Sequence, residues 1–596
     1  MSAHPVPLAS APRRPTHLAG AAGSLRRHRP PAARRPGACA RTRGSAHARG
    51  HAALKLLLQV CVAFICSTLL SACASRPPAT ALQRTATHAL PPATAAATPL
   101  GTALAGPAAE HPGESGFRLL ATGSDSLQMR IALARAATKT LDMQYYIANE
   151  DTTGKLLLGA ALYAADRGVR VRMLLDDLNF KDIDSLMAAL NAHPNISIRV
   201  FNPYGSAQES MFARTTNLFT KIDQFTRRMH NKAMIVDNEV AIVGGRNLGD
   251  EYFGASQVLQ FSDLDVLAAG PVAPRVSASF DDYWNSSLAY PLAALNHQTF
   301  KPHDLDAARD ALRAHWHRYA DPYNAKPLNA TPLATQIAQN GLGLVWAKCR
   351  FAADSPGKIA DAQQSETDGA DPVGKAMRSL VAQIQGAQKS VLVFSPYFVP
   401  HAAGVEEVRK LTARGVRVAF LTNSLSATDA VAVQAGYSPW REPLLRAGAE
   451  LYEYKSSDPQ HARTSAGGVA GSKSRASLHT KAYIIDDRTL VIGSLNLDPR
   501  SASLNTELAM TIESPELARE ATADFAHATS PQLSYRLTLA TPAQQRLMAS
   551  SAAHSHLVWT DEENGRMRTY YVDPEAGLLR NLETGLFLLL PLDNQL

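Results

Sequence analysis

The chain has 596 residues, a formal net charge of +8 at pH 7 and 45% hydrophobic residues. A chain of this length can bury large cores, and we expect two main domains with additional segments. The basic charge does not indicate nucleic-acid binding. Residues 1–72 contain eleven Lys and Arg residues and no Asp or Glu, so the remainder has a net charge of −3.

Residues 1–73 are predicted to be a secretory leader. The apolar run Leu56–Ala72 follows a basic stretch and ends with Leu-Ser-Ala before Cys73. This ending resembles a bacterial lipobox, so we expect lipidation of Cys73, with export and anchoring in the bacterial cell envelope, at the inner or the outer membrane. The alternative is a short membrane-spanning helix, for which this run of 17 residues is near the lower limit.

Residues 74–115 are rich in Pro, Ala and Thr and are predicted to be a linker between the anchor and a folded body. Of the five cysteines, only Cys349 lies beyond the leader and its lipobox, so no disulfide framework is expected. The Cys, His and carboxylate residues show no spacing typical of a metal site. We therefore expect neither a metal nor a cofactor.

The folded body repeats one order of predicted elements. In the first half, helix, strand, helix and strand are predicted at 126–139, 141–147, 156–165 and 169–175. In the second half, strand, helix and strand are predicted at 391–397, 405–413 and 416–421. Gly168 and Gly415 end the helices, and both lie in the sequence Arg-Gly-Val-Arg-Val. The pattern predicts a duplicated α/β sheet.

We place lobe 1 at 116–300 and lobe 2 at 375–535. A connector with helical pieces and a polar tract spans 301–374, and a C-terminal extension spans 536–596. The apolar stretch Leu586–Leu590 in this extension could contact lipid or form part of a final packed helix.

Each lobe carries one copy of a polar pattern, His-x-Lys, four residues, Asp, nine residues, Asn. The members are His230, Lys232, Asp237 and Asn247 in lobe 1, and His479, Lys481, Asp486 and Asn496 in lobe 2. Residues i and i+2 of a strand share a face, so the His and Lys of each copy point together. Two copies at identical spacing predict one active site built from two halves.

This set of side chains suits a phosphodiester. Lys232 and Lys481 can neutralise the non-bridging oxygens, and the amides of Asn247 and Asn496 can donate to the same oxygens as charge develops. One neutral imidazole can attack phosphorus while the other, protonated, gives its proton to the leaving oxygen.

Each catalytic histidine needs an orienting carboxylate on its other ring nitrogen. Asp263 and Glu507 are the candidates, because each lies seven residues before a Gly-Pro or Ser-Pro pair. Asp265 is an alternative to Asp263. We include Asp237 and Asp486 with the catalytic set, although a turn or a salt bridge at the strand end fits them better than direct chemistry.

The paired motifs, followed by Gly-Gly-Arg-Asn and Gly-Ser-Leu-Asn, resemble those of the phospholipase D superfamily across residues 116–540. Further segments resemble bacterial cardiolipin synthases of the C type and phospholipase D-like relatives, at 144–147, 151–154, 244–253, 395–398, 421–424 and 496–501. The resemblance implies two phospholipase D-like α-β-α sandwich lobes, packed as a pseudo-dimer with the active site between them. It also implies a phosphohistidine intermediate, with His230 as the nucleophile and His479 as acid and then base.

The leading hypothesis is a membrane-bound phosphatidyltransferase that makes cardiolipin. A hydrolase that releases phosphatidic acid is the nearest alternative, followed by a nuclease and a non-catalytic surface lipoprotein. We expect phospholipid substrates and contact with a membrane surface, and no nucleic acid. The sequence does not identify a protein partner.

Overall fold

The computed structural model describes residues 84–177, 185–203, 226–295, 302–321, 331–360, 373–457, 474–548 and 556–587. All of these residues belong to one compact unit, Ala72–Leu596. The predictions made for residues 1–83, including the lipobox at Cys73, lie outside the described residues.

The strands of the first half form one mixed sheet, apart from β7. They are β1 (Ser115–Leu120), β2 (Thr140–Tyr145), β3 (Arg170–Asp176), β4 (Ile196–Phe201), β5 (Ala233–Val236), β6 (Val240–Gly244), β7 (Leu259–Ser262), β8 (Asp265–Ala269) and β9 (Ala289–Pro291). The sheet runs β1-β8-β6-β5-β2-β3-β4-β9, and its parallel pairs are β2–β3 and β3–β4.

The second half repeats this sheet. Its strands are β10 (Val345–Ala353), β11 (Ser390–Phe394), β12 (Arg417–Asn423), β13 (Glu450–Tyr454), β14 (Arg475–Leu478), β15 (Ala482–Ile485), β16 (Thr489–Gly493), β17 (Leu508–Glu513), β18 (Ser534–Leu539), β19 (Leu557–Glu563) and β20 (Arg566–Tyr570). The order is β10-β17-β16-β15-β11-β12-β13-β18-β19-β20, again with the parallel pairs in the centre, β11–β12 and β12–β13.

Helices cover the sheets on their outer and inner faces. Those that precede lobe 2 are α1 (Pro92–Ala96), α2 (Pro99–Glu110), α3 (Gly123–Ala136), α4 (Thr152–Asp166), α5 (Ser185–Asn191), α6 (Ala273–Trp284), α7 (Leu292–Leu295), α8 (Pro302–Tyr319), α9 (Leu333–Ala338) and α10 (Gly357–Ala360). Those that follow are α11 (Lys375–Gln385), α12 (His401–Ala413), α13 (Val431–Tyr437), α14 (Arg441–Arg446), α15 (Pro515–Ala528), α16 (Pro542–Met548) and α17 (Leu578–Phe587).

A shared core joins the two lobes. Phe280 on α6 and Phe525 on α15 belong to one buried apolar cluster that includes residues from the inner faces of both sheets. Strand β10 also joins the halves, because it pairs with β1 on one side and β17 on the other. The architecture is the predicted α/β fold of two duplicated α-β-α lobes packed as a pseudo-dimer.

The predicted strands and helices of both repeats are confirmed, with boundaries shifted by a few residues. Gly168 and Gly415 follow α4 and α12 with φ angles of 90° and 80°. This left-handed conformation favours glycine and explains why each helix ends there.

The structure differs from the linker prediction at 74–115, since α1 and α2 lie within this segment. The side chain of Thr98 accepts a hydrogen bond from the amide of Gly101 and caps α2. Leu100 and Leu104 are buried, and α2 packs against α9. The high Pro and Ala content does not predict a helix here. The helix α2 forms because tertiary contacts stabilise it.

The C-terminal extension continues the sheet of the second half through β18, β19 and β20, and α17 packs against α13. Residues 588–596, which include most of the apolar stretch, lie outside the described residues. Within the described ranges, no helix has the length and apolar character needed to cross a membrane.

Candidate active site

His230 lies directly after a backbone bridge between the two lobes. Met229 pairs with Thr506, and the amide of His230 donates to the carbonyl of Thr506 at 3.0 Å. This register places Glu507 beside the imidazole, whose Nδ1 lies 3.0 Å and 2.9 Å from the two carboxylate oxygens. The first motif therefore takes its carboxylate from lobe 2.

His479 has the same arrangement with the lobes exchanged. Strand β14 pairs in parallel with β7 of lobe 1, so that Leu478 lies opposite Ser262. The amide of His479 donates to the carbonyl of Ser262 at 2.7 Å, and its Nδ1 lies 2.6 Å from Asp263 Oδ2. Each histidine is thus paired across the lobe boundary, a crossing that spacing within one half cannot reveal.

The residues after β6 and β16 shape the two carboxylate sites differently. A Cβ atom on Gly245 would lie 2.3 Å from Asp263 Oδ1, so the close approach of this carboxylate requires glycine. Ser494 in the second half instead donates its hydroxyl to Glu507 Oε2. Ser501 donates a second hydroxyl to Glu507 Oε1 at 2.8 Å. Glu507 therefore accepts more hydrogen bonds than Asp263.

The two carboxylates differ in their tendency to ionise. Burial raises the pKa of Asp263 to about 7. Burial also opposes ionisation of Glu507, but the adjacent His230 and Lys232, with the Ser494 hydroxyl, hold the pKa of Glu507 below its ordinary value. His230 therefore faces the more firmly anionic partner.

Burial also lowers the pKa values of the imidazoles and ammonium groups of the site. It lowers the pKa of His230 to about 4, opposed by Glu507 and assisted by Lys232 and Lys481. Burial, with Lys481, lowers the pKa of His479. Burial lowers the pKa of Lys232 as well, and it lowers that of Lys481 to about 8. A bound phosphodiester would supply the negative charge that these groups lack and raise their pKa values.

The two lysines have matching contacts. Lys232 Nζ donates to the carbonyl of His230, and Lys481 Nζ donates to the carbonyl of His479, both at 2.6 Å. Each ammonium also lies near an aromatic ring, at 5.2 Å from Tyr146 for Lys232 and 5.9 Å from Tyr397 for Lys481. These contacts hold each lysine beside its own histidine.

The two motif asparagines are buried but bonded differently. Asn247 donates to the hydroxyl of Tyr252 at 2.9 Å and accepts from the amide of Ile147 at 3.1 Å. Asn496 Oδ1 is a buried oxygen without a hydrogen-bond partner among the described residues. The second asparagine thus has an unused acceptor, whereas a phosphate oxygen would need a donor.

Asp237 and Asp486 lie at the other end of their strands from the histidines. In each motif the aspartate lies seven positions after the histidine, which corresponds to roughly 20 Å along an extended chain. Asp237 accepts hydrogen bonds from the amides at 138–140, and Asp486 accepts from those at 388–390. These bonds hold the chain as it enters β2 and β11. Both aspartates therefore lie away from the histidines, at the strand ends where a turn was the expected role.

Asp265, the alternative to Asp263, is paired elsewhere. Its carboxylate lies 2.9 Å from Arg130 and 3.3 Å from Arg246, and it accepts from the hydroxyl of Ser126 at 2.6 Å. It supports the turn after β6 and does not orient His479.

Aromatic rings that the sequence reasoning did not assign to the site surround the histidines. Tyr146 lies 5.1 Å from His230 between ring centroids, and Tyr252 and Phe261 lie 5.2 Å and 4.8 Å from His479. Tyr146 and Tyr397 each follow a central strand of their lobe. This repetition in the two halves is the sequence signal that could have identified them as site residues. Within the described ranges, no cluster of His, Cys, Asp and Glu is arranged to hold a metal ion.

Residues 130–284 and 380–529 match the family described as "Cardiolipin synthase, PLD-like domain". The chain belongs to this phospholipase D-like family. Cardiolipin synthase C of Escherichia coli (strain K12) is 41% identical over 417 residues, which cover 69% of this chain and 84% of that protein. An uncharacterized protein of Helicobacter pylori (strain ATCC 700392 / 26695) is 31% identical over 487 residues, or 81% of this chain and 90% of that protein.

Among solved structures, phosphatidylserine synthase of Haemophilus influenzae Rd KW20 aligns with 14% identity and a TM-score of 0.47. The alignment covers 70% of this chain and 88% of that one. From the sequence matches, this phospholipase D-like protein is an enzyme of phosphodiester transfer, in the class of the phospholipid phosphatidyltransferases.

Proposed function

We propose that the protein makes cardiolipin by phosphatidyl transfer through a phosphohistidine on His230. The observation that carries this proposal is the pair of buried imidazole–carboxylate contacts, each formed across the lobe boundary. Two oriented histidines with a lysine beside each provide a nucleophile, an acid and charge neutralisation without a further component.

In the first step, Nε2 of His230 attacks the phosphorus of a phosphatidyl donor, and the bond from phosphorus to the leaving oxygen breaks. His479, protonated once the anionic substrate is bound, gives its proton to that oxygen. Glu507 stabilises the positive charge that forms on the His230 ring. Glu507 accepts from His230, Ser494 and Ser501, whereas Asp263 accepts from His479 and the Leu264 amide, and the better-supported carboxylate beside His230 supports His230 as the nucleophile and His479 as the acid.

In the second step, His479 takes the proton from an acceptor hydroxyl. The resulting oxygen attacks phosphorus, and the bond between phosphorus and His230 breaks, so both imidazoles return to their starting states. If the acceptor is the glycerol hydroxyl of a second phospholipid, the product is cardiolipin. If it is water, the product is phosphatidic acid.

Lys232 and Lys481 neutralise the phosphate oxygens in this account, and Asn247 and Asn496 donate to them. Asn247 Nδ2 has two N–H groups and its bond to Tyr252 uses one of them, which leaves the other to donate to the ligand. The unpartnered atom of Asn496 is its oxygen, an acceptor, so its donating role rests on the matching motif position. The charge of −3 outside the leader favours a lipid substrate over nucleic acid. The intact set in both halves argues against a non-catalytic lipoprotein.

We further propose that the enzyme is a lipid-anchored protein of the bacterial cell envelope. The apolar run and Cys73 support this localisation. Anchoring would keep the site near a surface where both lipid substrates are concentrated.

The test is lipid analysis of cells that lack other cardiolipin-forming activity and express the wild-type protein, His230→Ala, or His303→Ala. His303 is exposed and serves as the matched control. We expect cardiolipin with the wild type and the control, but not with His230→Ala. Phosphatidic acid in place of cardiolipin would indicate the hydrolase, and no change in either lipid would contradict the proposal.

A further inference from the structure

Loop Ser424–Ala430, which follows β12, borders the second half of the site. At its end, Asp429 accepts a hydrogen bond from the hydroxyl of Tyr397 at 2.7 Å. The Tyr397 ring stands at 88° to the ring of His479, with 6.4 Å between centroids, and Lys481 Nζ lies 5.9 Å from it. The position of Asp429 therefore sets the position of a ring that adjoins both His479 and Lys481.

Three backbone carbonyls of this loop accept hydrogen bonds from a side chain outside the loop. The amides of Ala427 and Thr428 bond within the loop to Ser424. The carbonyls of Leu425, Ser426 and Thr428 converge on one atom, Nη1 of Arg580, at 2.6 Å, 3.3 Å and 2.9 Å. A guanidinium group suits such a cluster of acceptors, because it is a fixed donor that stays charged.

Arg580 lies on α17, which packs against α13 directly after the loop. This helix belongs to the C-terminal extension, beyond residue 529, where the family match ends. The extension therefore contacts the loop that borders the site.

We propose that Arg580 is a positioning residue for the second half of the active site. It fixes loop Ser424–Ala430, the loop fixes Asp429, and Asp429 holds Tyr397 against His479 and Lys481. The inference rests on the proposed function only in that His479 acts as acid and base. It assigns to the C-terminal extension a part in catalysis.

The test compares Arg580→Ala and Arg580→Lys with Arg566→Ala, in the full chain. Arg566 is an exposed arginine of the same extension and is the matched control. Activity is the total turnover of a phosphatidylglycerol donor in detergent micelles, summing transfer and hydrolysis products. This sum keeps the comparison valid even if the enzyme hydrolyses rather than transfers.

We expect kcat of Arg580→Ala to fall by about tenfold to 100-fold, because a small displacement of an acid–base group has effects of that order, with KM less affected. Arg580→Lys should retain part of the activity, since an ammonium can still donate to some of the carbonyls. A kcat for Arg580→Ala equal to that of Arg566→Ala would overturn the proposal.

Asp429→Asn shows whether Arg580 acts through Asp429. If both residues serve one contact, the double variant Arg580→Ala with Asp429→Asn should be no slower than the slower single variant. Losses that multiply would place the effect of Arg580 elsewhere and contradict the proposed route.

The pH profile separates positioning from a loss of folding. The titratable and charged groups near the His479 imidazole are Asp263, Lys481, Asp429, His230, Lys232, Tyr252 and Tyr397. A negative charge on Asp429 raises the pKa of His479, so its removal or displacement should move the alkaline limb of kcat to lower pH. If the alkaline limb of kcat in Asp429→Asn and Arg580→Ala stays at the wild-type pH, the proposal is overturned.

Discussion

The hydrogen bond at Nδ1 of each site histidine determines what Nε2 of the same ring can do. Nδ1 of His230 is held by Glu507 and Nδ1 of His479 by Asp263, which leaves each Nε2 for the substrate. Carboxylates in such positions fix the tautomer and stabilise the charged ring.

The first prediction concerns Glu507→Gln. The substitution keeps the size of the side chain but removes the charge that stabilises the His230 ring, so turnover should fall by about 10²- to 10⁴-fold. Steady-state kinetics measure this, and Glu513→Gln is the control, because Glu513 is an exposed residue of the same strand. Equal activity in the two variants would show that Glu507 does not support catalysis.

A second prediction follows from the lowered pKa values of His230 and Lys481, which are about 4 and about 8. A bound anion raises these values, so the complex holds more protons than the free protein, and affinity must fall as pH rises. We expect sulfate to bind with proton uptake and more weakly at pH 9 than at pH 6.

Calorimetry in two buffers of different ionisation enthalpy measures this proton uptake. Lys481→Met should reduce it, because one titrating ammonium is lost. Sulfate affinity that does not change with pH would contradict the assignment of these groups to an anion site.

Most of the site residues could be predicted from the sequence, because two copies of one spacing expose them. The pairing of His230 with Glu507 and of His479 with Asp263 could not, since it depends on backbone bridges between lobes. Tyr252 and Phe261 were missed because a single aromatic residue has no pattern that separates a site wall from a core.

At the scale of elements, the turns after β6 and β16 bring the carboxylates into place. Gly245 leaves room for Asp263, whereas Ser494 supports Glu507 directly. Equivalent positions in the two repeats thus hold their carboxylates differently, one by leaving space and the other by donating a hydrogen bond.

The third prediction is that Gly245→Ala lowers activity at least tenfold while the protein stays folded. The added methyl would displace Asp263 from His479, since its Cβ would lie 2.3 Å from the carboxylate. Gly106→Ala is the control, because it lies on α2 with no atom within 4 Å of the new Cβ. Turnover and circular dichroism of both variants measure this, and full activity in Gly245→Ala would contradict the tight fit.

The elements of both repeats were predictable because their apolar spacing is strong, but β10 was not. Lys348 and Arg350 are exposed on this strand and interrupt its apolar residues. It exists as a strand because β1 and β17 both pair with it. Pairing on both sides stabilises it as a strand.

At the scale of the whole molecule, the crossed pairs explain why two lobes are needed. Lobe 1 contains His230 and Asp263, but these two belong to different pairs. Either lobe alone would therefore have an imidazole without its carboxylate. The pseudo-dimer is the smallest unit with a complete site.

The fourth prediction concerns attachment to the membrane. Cys73→Ser should abolish labelling by a radioactive fatty acid and reduce the membrane-bound fraction, because the lipobox cysteine would carry the anchor. Cys349→Ser is the control, since Cys349 lies within the folded body on β10. Unchanged membrane attachment in Cys73→Ser would instead favour the membrane-spanning alternative for residues 56–72, and unchanged labelling would contradict lipidation of Cys73.

We propose that one phosphohistidine forms on His230 and that His479 serves it as acid and base. The most direct test is trapping of protein-bound phosphorus from a labelled phosphodiester with a nitrophenol leaving group, which departs without an acid. His230→Ala should carry no label, whereas His479→Ala should accumulate label, because attack remains possible and transfer to the acceptor does not. Label on His230→Ala together with none on His479→Ala would contradict the account.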